Sequence, residues 1–180
     1  MKKFLCLMAC VCGLMSAYAQ KTAAEKACVA EVRKMYQEAK AMMAENDKHE
    51  ETQNDMVVTV SSMEPAVGGQ VVNYHYYFNI DFSEEANQYV SKPYFVTKKF
   101  NVTVRNYYLE YLYDPDSVTL RFVFAKWQDY SGETVEERYY FDKDGRMVWY
   151  QVKNTDEVQS ADDLKHQSDR ILNGFFSLKG

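Results

Sequence analysis

Two spacings of apolar residues divide the chain. From Thr22 to about Asn46 they recur at the helical period. Cys28, Val32, Met35, Ala39 and Met42 make one stripe, and Val29, Tyr36 and Met43 widen it. Glu31, Arg33, Lys34, Gln37, Glu38, Lys40 and Glu45 take the other faces. Thr22 and Glu25 stand three apart, the spacing at which each side chain satisfies the other's orphan backbone N–H. The pattern predicts one long amphipathic helix with a polar exit at Asn46-Asp47-Lys48-His49-Glu50-Glu51.

Beyond that exit the period falls to two, the spacing of a strand with one face buried. Met56 to Met63 reads as a first strand, and Pro65 with Gly68-Gly69 as a loop. Val71 to Phe82 alternates cleanly, with Val72, Tyr74, Tyr76, Phe78, Ile80 and Phe82 on one face. Ser83 to Lys92 is polar, with room for one helical turn at Glu84-Glu85-Ala86. Pro93 to Tyr113 is a long β-prone stretch. Its apolar phase switches between Val104 and Tyr107, which predicts a bulge or bend at Arg105-Asn106. Val118 to Trp127, Val135 to Phe141 and Met147 to Val152 follow as strands, and Ser160 with Asp163 can cap a final helix that buries Leu164, Ile171, Leu172, Phe175 and Phe176.

Two hairpin registers follow from the turns. A type I turn at Asp114-Pro115-Asp116-Ser117 pairs Tyr113 with Val118, Tyr111 with Leu120, Leu109 with Phe122 and Tyr107 with Phe124 on the inner face. Outside, it sets Glu110 against Arg121 and Tyr108 against Val123. Asp142-Lys143-Asp144-Gly145, with Gly145 in the left-handed position, pairs Phe141 with Met147 and Tyr139 with Trp149. Outside it pairs Tyr140 with Val148 and Arg138 with Tyr150. The expected fold is α+β: a long N-terminal helix packed by its stripe on the inner face of a curved antiparallel meander of six or seven strands, and a short C-terminal helix. No repeat or linker divides residues 20–180, so they read as a single domain.

The first nineteen residues read as a secretory signal peptide. Met1-Lys2-Lys3 is a basic start, Phe4 to Ala17 an apolar run, and Ala17-Tyr18-Ala19 the small-x-small pattern before a cut ahead of Gln20. The run is too short for a membrane span. Leu7-Met8-Ala9-Cys10 superficially matches a lipoprotein box, but Cys10 lies within the apolar run. The expectation is a periplasmic or secreted chain of 161 residues. Loss of Lys2 and Lys3 leaves 19 basic groups against 26 acidic ones, a net −7, which argues against nucleic acid as a partner. Only Cys28 of the four cysteines survives the cut, so the mature chain has no internal disulfide.

Chemistry-bearing motifs are sparse. The chain has no Gly-x-Ser-x-Gly elbow, P-loop or dinucleotide glycine pattern. Cys28 on the helix stripe reads as a buried inert thiol, and His49, His75 and His166 as solvated histidines without metal-ligand spacing. Glu84-Glu85 and Glu136-Glu137 read as solvated neighbours. The expectation is no catalytic residue, no metal, no cofactor and no enzymatic activity.

The aromatic residues change the picture. They make up 15% of the chain, and 22 of them lie between Tyr74 and Tyr150. Most sit in the inward phase, where each tyrosine hydroxyl needs a partner. The outward phase carries Tyr77, Tyr108, Tyr140 and Tyr150 between Arg121 and Arg138. Tyr108, Arg121, Arg138, Tyr140 and Tyr150 are therefore the candidate binding residues, a flat face suited to stacking a glycan or docking an envelope protein.

A long helix before a curved antiparallel meander resembles the cystatin-like and NTF2-like class. The segments Val104 to Tyr113 and Glu137 to Tyr150, with Tyr-Phe-Asp-Lys-Asp-Gly-Arg at the turn, also resemble small secreted proteins of Bacteroidetes-type bacteria. The resemblance implies a bent sheet wrapped on a helix and transfers no catalytic residue. Two functions stand as expectations. One is an exported, non-catalytic binding or protein-interaction domain of the bacterial cell envelope. The other is a cavity protein that holds a small apolar or aromatic ligand.

Overall fold

A computed structural model describes residues 22–48, 54–64, 68–102 and 105–179. The readings of a signal peptide at 1–19, of His49 in the polar exit and of Pro65 in the first loop lie outside those residues. The elements run α1 (Ala23–Asn46), β1 (Asp55–Glu64), β2 (Gly68–Ser83), β3 (Gln88–Val102), β4 (Arg105–Tyr113), β5 (Leu120–Gln128), β6 (Thr134–Phe141), β7 (Met147–Lys153) and α2 (Ala161–Lys179). The seven strands form one antiparallel sheet in chain order. The α+β architecture read from the two periods is therefore present. The capping box closes the start of α1, with Glu25 N donating to Thr22 Oγ1 and Thr22 N to Glu25 Oε2.

The layering differs from the expected one. α1 and α2 lie on opposite faces, so the sheet is the middle of three layers. The α2 face holds the larger core: Tyr76, Phe78, Val96, Leu109, Tyr111, Tyr113, Val123, Tyr139 and Phe141 pack with Leu164, Ile171 and Phe175 of α2. The α1 face buries Val29, Val32, Ala39 and Met43 against Tyr77, Tyr94, Phe95, Leu112, Phe122 and Tyr140. The inner face assigned to α1 is thus the α2 face, and α1 covers the phase expected to be outward. The buried stripe of α1 is also rotated. Met42 is 44% exposed, and Met43 takes its place in the core.

The stretch from Pro93 to Tyr113 is not one bent strand. It is the β3–β4 hairpin, with Val102 opposite Arg105, so the change of phase marks a chain reversal. β3 begins at Gln88, before the expected start at Pro93, after a turn at residues 84–87 in which Asn87 takes φ 49°.

The first predicted hairpin register is wrong and the second half right. Asp114 to Thr119 forms a wider loop than a type I turn. Val118 N donates to Asp114 O, and Val118 takes φ 57°, unusual for a β-branched residue. Tyr113 then pairs with Leu120 and Leu112 with Phe122, which leaves Arg121 as the extra residue of a bulge. Glu110 therefore faces Phe124 and never meets Arg121. In the next hairpin Gly145 takes the left-handed φ of 71°, and Phe141 pairs with Met147 as predicted. A bulge then shifts the ladder by one, so Tyr140 meets Trp149 and Tyr139 meets Tyr150.

Candidate functional site

Four of the five residues singled out from the sequence, Tyr108, Arg121, Arg138 and Tyr140, do share a face, but that face lies beneath α1. Tyr150 is on the other face, beside Tyr139 at 6.5 Å between ring centroids. Tyr140 and Arg121 are buried, so the flat exposed Tyr/Arg platform does not form. In its place, two buried polar clusters join α1 to the sheet, with a groove between them.

One cluster is built on Glu110. This buried β4 carboxylate accepts from Tyr36 Oη and Tyr108 Oη, both at 2.7 Å, and from Lys40 Nζ at 3.2 Å. Burial, and then the bonds to Glu110, push both tyrosine hydroxyls well above their ordinary range, so they stay protonated donors. The other cluster is built on Arg121. The bulge aims its guanidinium at α1, where it donates to Glu31 Oε1 at 3.0 Å, to Asp114 Oδ2 at 3.3 Å and to the Phe141 carbonyl. Burial pushes the Asp114 carboxyl up, but backbone N–H donors from Ser117 and Asp116, with Arg121, more than offset it and hold it below its usual range. Cys28 lies beside this cluster, half-buried, its thiol directed at the Phe141 carbonyl. The thiol is less buried than the sequence pattern implied, and burial chiefly raises its pKa against the pull of Arg121.

Between the clusters is a groove of about 300 Å³. Of the residues that line it, Val32, Phe122 and Tyr140 are buried and make its floor, Tyr36, Phe124 and Arg138 are half-buried, and Arg33 and Gln37 are exposed, so the two arginines stand toward its rim. Arg138 lies 4.9 Å from the Phe124 ring centroid and bonds Glu136 at 2.9 Å. Arg33 lies 5.8 Å from the Tyr140 ring centroid and makes no ion pair among the described residues. Arg138 and Tyr140 thus come from the sequence reading. Arg33, Tyr36, Gln37, Phe122 and Phe124 were missed as site residues: the helical pattern puts Arg33 and Gln37 on the solvent faces and Tyr36 in the apolar stripe, and the β5 residues carry the phase of the wrong register. Tyr36, the one aromatic residue of α1, was the available signal.

Elsewhere the histidine reading needs correction at His75, which is not simply solvated. It pairs with Asp55 at 2.5 Å and stacks on Tyr77 at 4.2 Å. No group of three His, Cys, Asp or Glu residues among the described residues could hold a metal ion, and no described helix is long and apolar enough to cross a membrane. No family model matches the chain, and no curated protein or solved structure matches it either.

Proposed function

We propose that this chain is an exported, non-catalytic binding domain of the cell envelope. Its ligand presents a carboxylate beside an aromatic or aliphatic group and enters the groove between α1 and β5–β6. The observation that carries the reading is two guanidiniums on the rim of an aromatic floor. Guanidiniums remain protonated at any working pH and grip carboxylates in a fork. They suit anion recognition and not proton transfer. The hydroxyl of Tyr36, which lines the groove, is held by Glu110. An anion fits the rim better than a neutral glycan, because a neutral ligand offers neither guanidinium a charge partner.

The export half of the proposal rests on the basic start, apolar run and Ala17-Tyr18-Ala19 of the N-terminus. Intact-mass measurement of protein from the envelope should give a chain beginning at Gln20. A lipidated chain beginning at Cys10 would overturn the expectation of a soluble form. The binding half is tested with N-acetylphenylalanine and its uncharged amide as probes, followed by NMR shifts at Tyr140 and Phe124. The carboxylate should perturb both sites, and Arg33→Ala/Arg138→Ala should weaken that binding at least about tenfold, since charge-assisted bonds contribute about 1.5–3 kcal/mol. Equal responses to acid and amide, or an unaffected double variant, would refute it.

A further inference from the structure

Among the described residues, β1 is an open edge without the protection that edges ordinarily carry: it pairs with β2 alone and is the first strand of the sheet. Edge strands are usually guarded by lysine, proline or a covering element. From Met56 to Met63 this strand has eight consecutive residues with no charge and no proline. Apolar side chains on both of its faces are exposed: Val57 at 63% and Met63 at 80% on the α1 side, Val60 at 47% on the α2 side. The opposite edge differs, since Val148 and Trp149 of β7 pack into the α1 cluster.

The ladder shows which backbone groups are unused. Phe78 N donates to Asn54 O at 3.0 Å, one step beyond the Asp55–Tyr77 pair that begins the β1–β2 register. Even-numbered residues of β1 are therefore the hydrogen-bonded partners of β2, because bonded and non-bonded pairs alternate in an antiparallel ladder. Val57, Thr59, Ser61 and Met63 turn their N–H and C=O groups to the open edge.

We infer that β1 pairs with β1 of a second copy of this chain, antiparallel, with the two-fold axis at Val60. A two-fold perpendicular to the sheet keeps side chains on their own faces, so opposite residues must share parity. With the axis at Val60, Val57 meets Met63 of the second copy and Thr59 meets Ser61. Counting both directions gives four bonded pairs, each exchanging two backbone bonds. Val60 meets its own copy at a non-bonded position, where side chains approach most closely. This register covers the three exposed apolar residues of the edge at once. The choice of a second copy rests on self-complementarity: about Val60 the same eight uncharged residues, Met56 to Met63, supply both strands, and each exposed apolar residue is met by one of its own kind. A closed two-fold pairing also uses the edge up, where pairing β1 to β7 would propagate a fibre.

The test is the mass of the purified chain, in its natively processed form, by sedimentation equilibrium at micromolar concentration. Wild type should have twice the mass of Ser61→Pro. Proline at 61 removes an outward N–H and costs no bond to β2, so the variant should be a folded monomer. Should Ser61→Pro fail to fold, Val60→Cys decides. Mild oxidation should link it into a dimer through its own copy, whereas Val58→Cys, opposite Ser62, should not link. A monomeric wild type, a dimer that neither forms the Val60→Cys link nor dissociates in Ser61→Pro, or an open series of higher assemblies would each overturn the inference. So would amides of β1 that become protected only when envelope extract is added, because a foreign strand would then be the occupant.

Discussion

Replacing Arg121 separates the folded arrangement from the one its sequence neighbours suggested. An exposed Glu110–Arg121 pair across a hairpin would be worth at most about 1 kcal/mol. In the structure the Arg121 side chain is 1% exposed and bonds Glu31, Asp114 and the Phe141 carbonyl. Arg121→Ala removes one partner of a buried charge cluster, a change that costs about 3–5 kcal/mol, against a total of about 5–15 kcal/mol for a domain. Arg121→Met keeps most of the buried stem and recovers about 0.8 kcal/mol per retained methylene, so its cost should fall to about 2–3 kcal/mol. Glu31 is 46% exposed, so Glu31→Gln alone should cost about 0.5–1 kcal/mol. Urea unfolding at neutral pH gives all three, and the Arg121→Met/Glu31→Gln double variant gives the coupling. The double variant should cost less than the two singles together, because Glu31→Gln has no Arg121 left to lose. An Arg121→Ala cost below about 1 kcal/mol would mean the side chain is solvated, and the packing of α1 over the bulge would be wrong.

Two further outcomes are expected. Val32 is fully buried and Glu38 is a solvated partner of Lys34, so Val32→Asp should cost several kcal/mol and Glu38→Lys well under 1 kcal/mol; equal melting temperatures would place α1 on the wrong face. Glu137 is buried on the α2 face with neutral hydrogen-bond partners, accepting from Gln159 Nε2 at 2.8 Å, and burial, helped by the like charge of Glu157, raises its carboxyl pKa above the usual range against the pull of Gln159 and Tyr139. A raised folded pKa means that this group's contribution is fully present below the ordinary glutamate value of about 4.3 and is lost as pH rises through the folded value. Glu137→Gln should thus melt within error of wild type near pH 3.5 and above it at pH 7, by on the order of 1 kcal/mol or a few degrees. A difference that does not change with pH would show that Glu137 is solvated.

The elements were legible wherever a local rule fixes them. The capping box at Thr22 and Glu25, the Ser160 cap of α2 and the left-handed Gly145 are contacts within four residues in sequence, and each stands where its residues predicted. What failed was phase. A strand's two faces are told apart by alternation alone, so one extra residue exchanges them. Val118 in the left-handed region and the bulge at Arg121 do that to β5, and nothing local in Val118-Thr119-Leu120-Arg121 announces either. The same exchange hid the groove. Phe122 and Phe124 were taken with the Tyr111 face, so their meeting with Tyr36 and Arg33 could not be read. The layering failed for a related reason. Both faces of the sheet are apolar enough to bury a helix, and the pattern of either face alone is compatible with α1.

The polar residues that looked like a surface patch instead set the place of α1. Glu110 and Arg121 are of opposite charge, lie on neighbouring strands and are both buried, yet each bonds to the helix and neither to the other. A buried charge tolerates only those helix positions that bring its partner within bonding distance. Tyr36 and Lys40, one turn apart, answer Glu110, and Glu31 answers Arg121. With both ends pinned, α1 cannot slide or settle closer without breaking a buried bond. The seam between the two attachments is lined on the helix by Val32, Arg33, Tyr36 and Gln37 and on the sheet by large rings, so it stays a groove where an apolar helix face would have closed on Phe122 and Tyr140. The same two clusters that removed Arg121 and Tyr140 from the surface therefore hold open the groove that Arg138 and Arg33 line.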